Sequence, residues 1–582
     1  MMHDFNIDKS DYSYILIIML FSIITCLKMI EYHMSGGIFN HDKSVYLINA
    51  LVFAGLDNNN IAILSDLYYS PLISFLTSIL FRLGFVSKLS IFVVTGFFGL
   101  FGNLGLYILL KNRFSKLLSL TGAIIFGSLS IILLNLASGL LDFPGVVVSI
   151  WLLIFTIVAV NKNSKYFLLI FPLFVIGFFT RYTVGFMLPI LICYYLLSKN
   201  VLHLIDDLIS DTVLFKLKCR NYLKSEEFKY IAFSILIGLL LIFLFIKLVV
   251  DNGGSLLFIG QSVGTFHGVK YNPNTFDASD DKLFYIKNFV VVLFREGRPL
   301  DSTLSYILCL IMCGGILCKF FIVVKNMRNR DDVFKLNFKT KYFTNFLEIV
   351  FIISFICLFI GFFIFSNHMI SNICLLIMLL ILFSMIQNSS CSKNNLLFSF
   401  LLVSWFFINF IFSSIYLIKV PRYAMPFIPP FICFVIYGLN YILEFVSNYF
   451  GKLKNFNNNK HNLNYSKYLN SIPILLILIF LVSTFTYILP LTIGEFGNDL
   501  VDVTNYLKDN DSDYLSKIIM CERNNYRTVK WYLNTNVTDV DPDNVDSVDS
   551  MNADYVILQV DKSFKNYDEI FHSGRFYLYS HR

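Results

Sequence analysis

The sequence has little charge for its length. Only 15% of its 582 residues are Asp, Glu, Lys or Arg, 56% are hydrophobic, and the mean hydropathy is +0.68. Soluble domains carry about 25% charge and about 45–50% apolar residues. These values exclude a soluble protein and indicate a polytopic membrane protein. The net charge of +7 then reflects basic loops on one membrane face, and no basic stripe with interleaved aromatics predicts a nucleic-acid partner.

Several local signatures are also absent. The sequence contains no P-loop, no GxGxxG fingerprint and no repeat of solenoid period, and its 11 cysteines lack the paired spacing of a zinc site or disulfide framework. The apolar run Tyr14–Ile30 follows a stretch that is as acidic as it is basic, and no Ala-x-Ala-like site comes after it. We therefore predict a retained first transmembrane helix rather than a cleaved signal.

Apolar runs predict about thirteen transmembrane helices, because a spanning helix needs about 20 mostly apolar residues. The predicted spans are 12–30, 88–110, 117–138, 144–160, 165–180, 183–198, 229–250, 302–324, 343–365, 369–387, 395–418, 424–446 and 472–490. The pair 165–180 and 183–198 also fits a single kinked segment.

Loop charge supports this topology independently. With a cytoplasmic N-terminus, basic runs such as Lys325–Arg330 fall on inner loops, whereas most loop aspartates fall outside. Two outer segments, Glu31–Ser87 and Asp251–Asp301, are too long to be simple connectors. We predict that the first contains two interfacial helices, Ser44–Leu56 and Ser70–Phe85.

The C-terminal segment, residues 491–582, is polar and mixed in composition. Val556–Val560 and Phe576–Tyr579 are typical of strands, and Asp499–Lys508 is typical of a short helix. The sequence therefore predicts an all-α polytopic membrane domain over residues 1–490, followed by a small extracytoplasmic α/β domain.

A short acidic motif directly follows the first span. Asp42 lies in the stretch Phe39-Asn-His-Asp-Lys-Ser-Val-Tyr46, and Tyr46 shares its helix face because the two are four residues apart. A helix N-cap or a solvated loop position would also explain Asp42. Four further motifs lie at predicted outer ends of helices: Tyr68-Tyr69-Ser70-Pro71-Leu72, Asp142-Phe-Pro144, Thr180-Arg181-Tyr-Thr-Val-Gly185 and Pro421-Arg422-Tyr423-Ala-Met-Pro426.

In this order, the motifs resemble those of the polyprenyl-phosphate-dependent GT-C glycosyltransferases. The closest similarity is to the branch of protein O-mannosyltransferases and aminoarabinose transferases, which is glycosyltransferase family 39-like. The resemblance covers residues 10–200 well and 415–440 moderately. The chain departs from the family pattern at two places. Asp42 is followed by Lys43 where the family often has a second acid, and Ser70 stands where Lys or Pro is common.

The resemblance implies a GT-C fold and the transfer of a sugar from a polyprenyl-phosphate donor, dolichyl or undecaprenyl. The acceptor would be a protein, lipid or glycan on the extracytoplasmic face, and the anomeric carbon would be inverted. Asp42 would act as the base that deprotonates the acceptor hydroxyl. Arg181 and Arg422 would clamp the donor phosphate, although snorkelling to the interface explains each position equally well.

Further candidates surround these three residues. Asp142 would orient the acceptor or bind a divalent cation, Mg²⁺ or Mn²⁺, together with Asp42. A helix N-cap is the alternative for Asp142. His41 would hydrogen-bond the donor or contact the acceptor or metal, and a solvated loop histidine is the alternative. Additional candidates by position are the three tyrosines Tyr46, Tyr69 and Tyr423.

Two other classes of protein stay open. The first is a multispan transporter or flippase of lipid-linked sugars, although transporters tend to carry ionisable residues near the membrane midplane. The second is a non-catalytic scaffold, because the second family acid is missing. A multi-pass protein of a prokaryotic plasma membrane is expected in each case. Convergence of Asp42, Arg181 and Arg422 on one outer cavity would favour the enzyme.

Overall fold

The computed structural model describes residues 8–38, 41–57, 70–253, 281–293, 301–327, 341–387, 393–416, 418–456, 465–491, 497–541 and 552–582. The first twelve helices are α1 Asp11–Ser35, α2 His41–Ala54, α3 Leu72–Arg82, α4 Lys88–Lys111, α5 Lys116–Ser128, α6 Ser130–Asn135, α7 Asp142–Asn161, α8 Phe167–Thr180, α9 Met187–Ser198, α10 Val201–Ser210, α11 Thr212–Leu223 and α12 Glu226–Asp251.

Ten more helices and five strands follow. The helices are α13 Phe284–Lys287, α14 Phe289–Leu293, α15 Asp301–Met327, α16 Lys341–Phe363, α17 His368–Gln387, α18 Lys393–Ile415, α19 Ile428–Phe456, α20 Tyr465–Ile488, α21 Asn498–Asn510 and α22 Tyr526–Leu533. The strands are β1 Ile519–Glu522, β2 Val537–Val540, β3 Tyr555–Leu558, β4 Tyr567–Ser573 and β5 Phe576–His581.

Every predicted span coincides with a helix or a pair of consecutive helices. Within the described ranges, eight helices are long and apolar enough to cross a membrane, or up to nine if the bent pair Tyr182–Ser198 and Val201–Ser210 is one span. The prediction of an all-α polytopic membrane protein is therefore confirmed. The number thirteen stays a prediction, because several of these helices are shorter than a full span.

Three of the spans are interrupted, and the first interruption falls inside the predicted span 117–138. Leu129 has an extended backbone (φ −66°, ψ 134°) that separates α5 from α6. The chain then turns through Ala137 and Gly139, which have φ values of 54° and 78°. This turn returns the chain so that α7 begins at Asp142, with its first residues buried.

The other two interruptions are 3₁₀ turns. Tyr182–Phe186 separates α8 from α9, and Pro421–Phe427 precedes α19. Arg181 lies in extended backbone between α8 and its 3₁₀ turn, and Arg422 lies in the second turn. An arginine therefore stands at each of the two 3₁₀ turns, at one end of the helical bundle.

The first outer loop forms two helices, as the sequence predicts. α2 and α3 pack against each other and against α4, around buried Leu47, Leu51 and Ile73. Most of the second long outer segment, 251–301, lies outside the described residues, which cover 251–253 and 281–293 within it.

The C-terminal residues form a mixed sheet with strand order β2-β1-β3-β5-β4. β1 pairs in parallel with β2 and β3, whereas β5 is antiparallel to β3 and β4. Buried residues of α21 and α22, among them Leu500, Val503 and Val529, pack on Ile519 and Ile557 of the sheet. The predicted helix and both predicted strands are present, and the small α/β fold is confirmed.

This C-terminal unit is docked on the first outer loop. The Ile38 amide donates to Tyr532 Oη at 2.6 Å, and Ser44 Oγ and Thr528 Oγ1 are 2.8 Å apart in a buried contact. Both contacts connect α22 to the start of α2. The sequence does not predict this docking, because neither Thr528 nor Tyr532 stands out from its neighbours.

Two further contacts extend the interface. The rings of Phe81 and Trp531 stack with their centroids 5.9 Å apart. Gly37 and Gly497 bring two backbone segments together so closely that a Cβ on Gly37 would lie 2.1 Å from the Gly497 carbonyl oxygen. A side chain at position 37 would therefore force the two units apart.

Close helix packing in the bundle gives a testable prediction. A Cβ at Gly315 of α15 would lie 2.1 Å from Gly438 Cα of α19, whereas a Cβ at the adjacent Gly314 would meet only Ile442 Cδ1 at 3.7 Å. We expect Gly315→Ala to destabilise the protein by about 1–3 kcal/mol, as overpacking of a tight interface does.

The measurement is the thermal midpoint of the detergent-solubilised protein, followed by size-exclusion chromatography. The matched control is Gly314→Ala, which introduces the same side chain into ordinary van der Waals space and raises helix propensity. Equal midpoints for the two variants would contradict the close approach of α15 and α19.

Candidate active site

One cavity of about 350 Å³ lies where the interrupted spans meet α2. It collects five of the residues that the sequence singles out. These are Asp42, Tyr46, Arg181, Arg422 and Tyr423. Asp42, Arg181 and Arg422 therefore converge on one cavity. This is the arrangement that favours an enzyme over a transporter or a scaffold.

Asp42 is paired with Arg422 across 380 residues of sequence. Arg422 Nη2 donates to Asp42 Oδ2 at 2.7 Å, and the two side chains are 22% and 25% exposed. Asp42 lies in the first turn of α2, where a carboxylate is favoured by the helix dipole. Partial exposure leaves the carboxylate in contact with the cavity, so the Asp42 side chain is more than a buried structural partner.

Asp142 is paired with Arg181 in the same region. Arg181 Nη2 and Asp142 Oδ1 are 2.6 Å apart, and the Asp142 side chain is only 3% exposed. Asp142 is in the first turn of α7, but its side chain caps none of the helix N–H groups that the structure describes, so the N-cap alternative lacks its hydrogen bond. Asp142 reaches the cavity through Arg181, which lines it.

The Tyr423 ring connects the two pairs. The guanidinium carbons of Arg181 and Arg422 each lie 5.5 Å from its centroid. A cation near the face of a tyrosine ring is stabilised by the ring quadrupole. Tyr416 packs edge-on against Tyr423 with centroids 5.6 Å apart. The aromatic pair therefore fixes the spacing of the two arginines at one wall of the cavity.

Tyr46 lies among all four charges. Its side chain is buried on the cavity side of α2, one helical turn after Asp42. Burial raises the pKa of the Tyr46 hydroxyl well above its usual value, and the Asp42 carboxylate adds to this increase. The hydroxyl is therefore neutral at physiological pH and is available as a hydrogen-bond donor.

Lys43 is a third cation near the site, although it is not among the residues that line the cavity. In the sequence it stands out only as a departure from the family pattern. Its ammonium lies 6.0 Å from the centroid of the Phe92 ring. Burial, and secondarily the charge of Arg422, lowers the pKa of Lys43 to about 8. The position of Lys43 next to Asp42 in the motif is the feature of the sequence that points to this residue.

Other residues of the cavity are not found by sequence reasoning. Asn409 is 3% exposed and donates from Nδ2 to Trp405 O within α18 at 2.9 Å. An amide side chain in an otherwise apolar helix is a feature of the sequence that could have identified Asn409. Tyr182 and Tyr416 also line the cavity, but 33 tyrosines in the chain make their type uninformative.

Lys419 holds the backbone at the end of α18. Its buried ammonium donates to the carbonyl oxygens of Ser413 and Ser414, at 3.0 and 2.6 Å, and to that of Tyr416. A cation at a helix C-terminus satisfies carbonyls that have no partner within the helix. Lys419 therefore supports the segment that leads to Arg422.

Two candidates are not tested by the structure. His41 is the first residue of α2, but the described side chains begin at Asp42. Tyr69 lies outside the described residues. Their contacts with donor or acceptor stay predictions.

The predicted divalent cation finds little support in the contacts. Among the residues that the structure describes, no group of three His, Cys, Asp or Glu side chains could hold a metal ion. One oxygen of each carboxylate, Asp42 Oδ2 and Asp142 Oδ1, is engaged by an arginine. A metal ion held by these two carboxylates stays a prediction.

Comparisons with known proteins agree with the sequence motifs. Residues 69–214 match the family model described as dolichyl-phosphate-mannose-protein mannosyltransferase. No curated protein sequence matches the chain significantly. The fold is similar to that of ArnT from Cupriavidus metallidurans bound to undecaprenyl phosphate, with 12% identity, a TM-score of 0.53, and coverage of 96% of this chain and 97% of that chain.

The apo structure of the same ArnT gives the same coverages and TM-score at 11% identity. The similarity therefore extends over the transmembrane bundle and the C-terminal unit together. The resemblance predicted from the motifs is confirmed: the chain is a multi-pass membrane protein with the GT-C fold of ArnT, and its residues 69–214 are similar to the mannosyltransferase family model.

Proposed function

We propose that this protein is a membrane glycosyltransferase that takes a sugar from a polyprenyl-phosphate donor and transfers it to a protein, lipid or glycan acceptor. The observation that carries the proposal is the convergence of Asp42, Arg181 and Arg422 on one cavity. The printed description of the family model, and the undecaprenyl phosphate bound to the similar ArnT, support this donor class.

The cations of the cavity fit a phosphate. Arg181 and Arg422 line the cavity, and each is paired with one carboxylate. Lys43, next to Asp42 in the sequence, is close enough to Arg422 for the two charges to interact, and it adds one excess positive charge to this region. A charge placed in hydrocarbon costs at least about 2.5–3.5 kcal/mol. An anionic donor would reduce this excess, and the two guanidinium groups offer the fork geometry that phosphate oxygens accept.

Asp42 is suited to act as the base. Its carboxylate would accept the proton of the acceptor hydroxyl while that oxygen attacks the anomeric carbon of the sugar. The bond from this carbon to the phosphate oxygen breaks, and the polyprenyl phosphate leaves on Arg181 and Arg422. A single displacement with a single base inverts the anomeric carbon. By the loop-charge topology, this chemistry takes place on the extracytoplasmic side.

Asp42 and the donor phosphate would share Arg422. In the structure, one Nη group of Arg422 donates a hydrogen bond to the Asp42 carboxylate. A phosphate arriving at the cavity would draw this guanidinium toward itself and loosen the ion pair. The carboxylate would then become available to the acceptor only after the donor has bound, which limits wasteful hydrolysis.

A transporter fits these contacts less well than an enzyme does. Alternating-access carriers place their ionisable residues near the membrane midplane, between related halves. Here the paired charges lie at one end of the bundle, where α2, α7 and the two 3₁₀ turns meet. This position suits chemistry at a membrane surface.

The first prediction concerns the base. Asp42→Asn should lower the transfer rate from a labelled polyprenyl-phosphate sugar by about 10²–10⁴-fold, because an amide cannot accept the proton. Donor binding should persist. Asp281→Asn, which changes an acid outside the cavity, is the matched control and should retain activity. Full transfer by Asp42→Asn would assign the base to another residue, with Asp142 next.

The second prediction concerns the phosphate. Arg181→Gln and Arg422→Gln should each weaken binding of polyprenyl phosphate by roughly 10-fold or more, because each removes a charge-assisted hydrogen bond. The lysine variants should fall between, since lysine keeps the charge but loses the fork. Arg523→Gln, an exposed residue of the C-terminal unit, is the control. Unchanged affinity in both glutamine variants would move the phosphate elsewhere.

The third prediction concerns pH. Because the pKa of Lys43 is lowered to about 8, its ammonium is charged below that pH and neutral above it. Affinity for the anionic donor should therefore fall as the pH rises through about 8 and beyond. Lys43→Arg should remove this fall, and Lys43→Met should show weak binding at every pH. A flat profile in the wild type would show that Lys43 does not act on the donor.

A further inference from the structure

A helical hairpin lies at the membrane face opposite the candidate site. α9 begins beside the cavity, after Tyr182 and Thr183, and runs away from it. At Asn200, which has a φ of 53°, the chain turns, and α10 leaves at 59° to the preceding helical segment. α11 packs against α10 before α12 re-enters the bundle. The hairpin α10–α11 therefore turns toward the plane of the membrane.

Both helices expose apolar side chains on one face. On α10 they are Ile205, Leu208 and Ile209, at positions i, i+3 and i+4. On α11, Val213 is 75% exposed and Leu217, one turn later, is 55% exposed. Such faces in water would be costly, since each large apolar side chain gains roughly 1.5–3 kcal/mol on burial.

Three cations continue the apolar face of α11. Lys216, Arg220 and Lys224 are four residues apart and all exposed. Arg220 and Lys224 follow Val213 and Leu217 at helical spacing, so the five side chains share one face of the helix. No carboxylate within the described ranges lies at ion-pair distance from these three cations.

The other charges of the hairpin are already engaged. Lys218 pairs with Asp207 at 2.5 Å and thereby joins α11 to α10, and Asp211 accepts the Val213 and Leu214 amides at the start of α11. On the face of α11 that carries Val213 and Leu217, the charged side chains are therefore positive only, whereas the exposed Asp211 lies at the start of the helix. This combination of an apolar face and unpaired cations suits an interface with anionic headgroups.

We propose that the α10–α11 hairpin binds acidic phospholipids at the membrane face opposite the candidate site. The apolar side chains enter the boundary of the acyl region, and Lys216, Arg220 and Lys224 contact headgroup phosphates. The segment that precedes α16 is an unsuitable partner by charge, because residues 325–341 contain six Lys or Arg and two Asp. This proposal does not depend on the glycosyltransferase proposal.

The test uses the full-length protein with Leu217→Trp, reconstituted in phosphatidylcholine vesicles. One set of vesicles contains brominated phosphatidylglycerol, and the other contains the same amount of brominated phosphatidylcholine. Quenching of the added tryptophan is obtained by subtracting the emission of the parent protein, which has three tryptophans. We expect stronger quenching by the anionic lipid, and we expect high salt to reduce this preference.

A triple variant should abolish the preference for the anionic lipid; it combines Lys216→Gln, Arg220→Gln and Lys224→Gln in the Leu217→Trp protein. Each cation removed should weaken association with the anionic lipid roughly five-fold. The matched control is Lys517→Gln, Lys562→Gln and Lys565→Gln, which removes the same charge from the C-terminal unit. Because all of the changed side chains on α11 are exposed, folding should be unaffected. Three results would overturn the proposal: equal quenching by both lipids, a preference that survives the triple change on α11, or no quenching by either lipid.

Discussion

Two arginine–aspartate pairs set the geometry of the whole site. Each pair joins parts of the chain that are distant in sequence, Asp42 with Arg422 and Asp142 with Arg181. Removing Arg181 would leave the buried Asp142 carboxylate uncompensated, at a cost of about 3–5 kcal/mol. The Asp42–Arg422 pair is partly exposed, so its loss would cost less. The pairs therefore tie α2 to the turn before α19 and α7 to the turn before α9. The interrupted spans are the means by which the backbone delivers these four side chains to one place.

The C-terminal unit stabilises the most exposed part of this arrangement. α2 packs against α3 and carries Asp42 at its first turn. The Ser44–Thr528 contact lies two residues from the candidate base, and the Ile38–Tyr532 hydrogen bond fixes the segment before it. A carboxylate that must meet an acceptor needs a fixed position more than it needs a strong partner.

The sequence predicts the helices and strands well, but it does not predict which of them contact each other. Apolar length identifies the spans because a membrane imposes one length on every crossing. Charge at a span end identifies Asp42, Arg181 and Arg422, since such residues are costly there. The pairing of Asp42 with Arg422 is not predictable, because nothing local relates residues 380 positions apart. The break at Leu129 is not predicted either: Gly127, Ser128 and Ser130 lie beside it, but the apolar run 117–138 has the length of a single span.

The contact between Gly37 and Gly497 has a consequence for how the protein is made. The segment before α2 leaves the ribosome among the first fifty residues, whereas its partners on α22 leave among the last sixty. The spans enter the membrane in sequence order. The first outer loop can therefore make its contacts with the C-terminal unit only after almost the whole chain has been synthesised. In an unfinished chain that lacks α22, the inserted helices can already carry all of the cavity-lining residues, which lie between Asp42 and Pro426, but the segment before α2 lacks its final contacts. The position of the candidate base therefore becomes fixed last, when synthesis is almost complete.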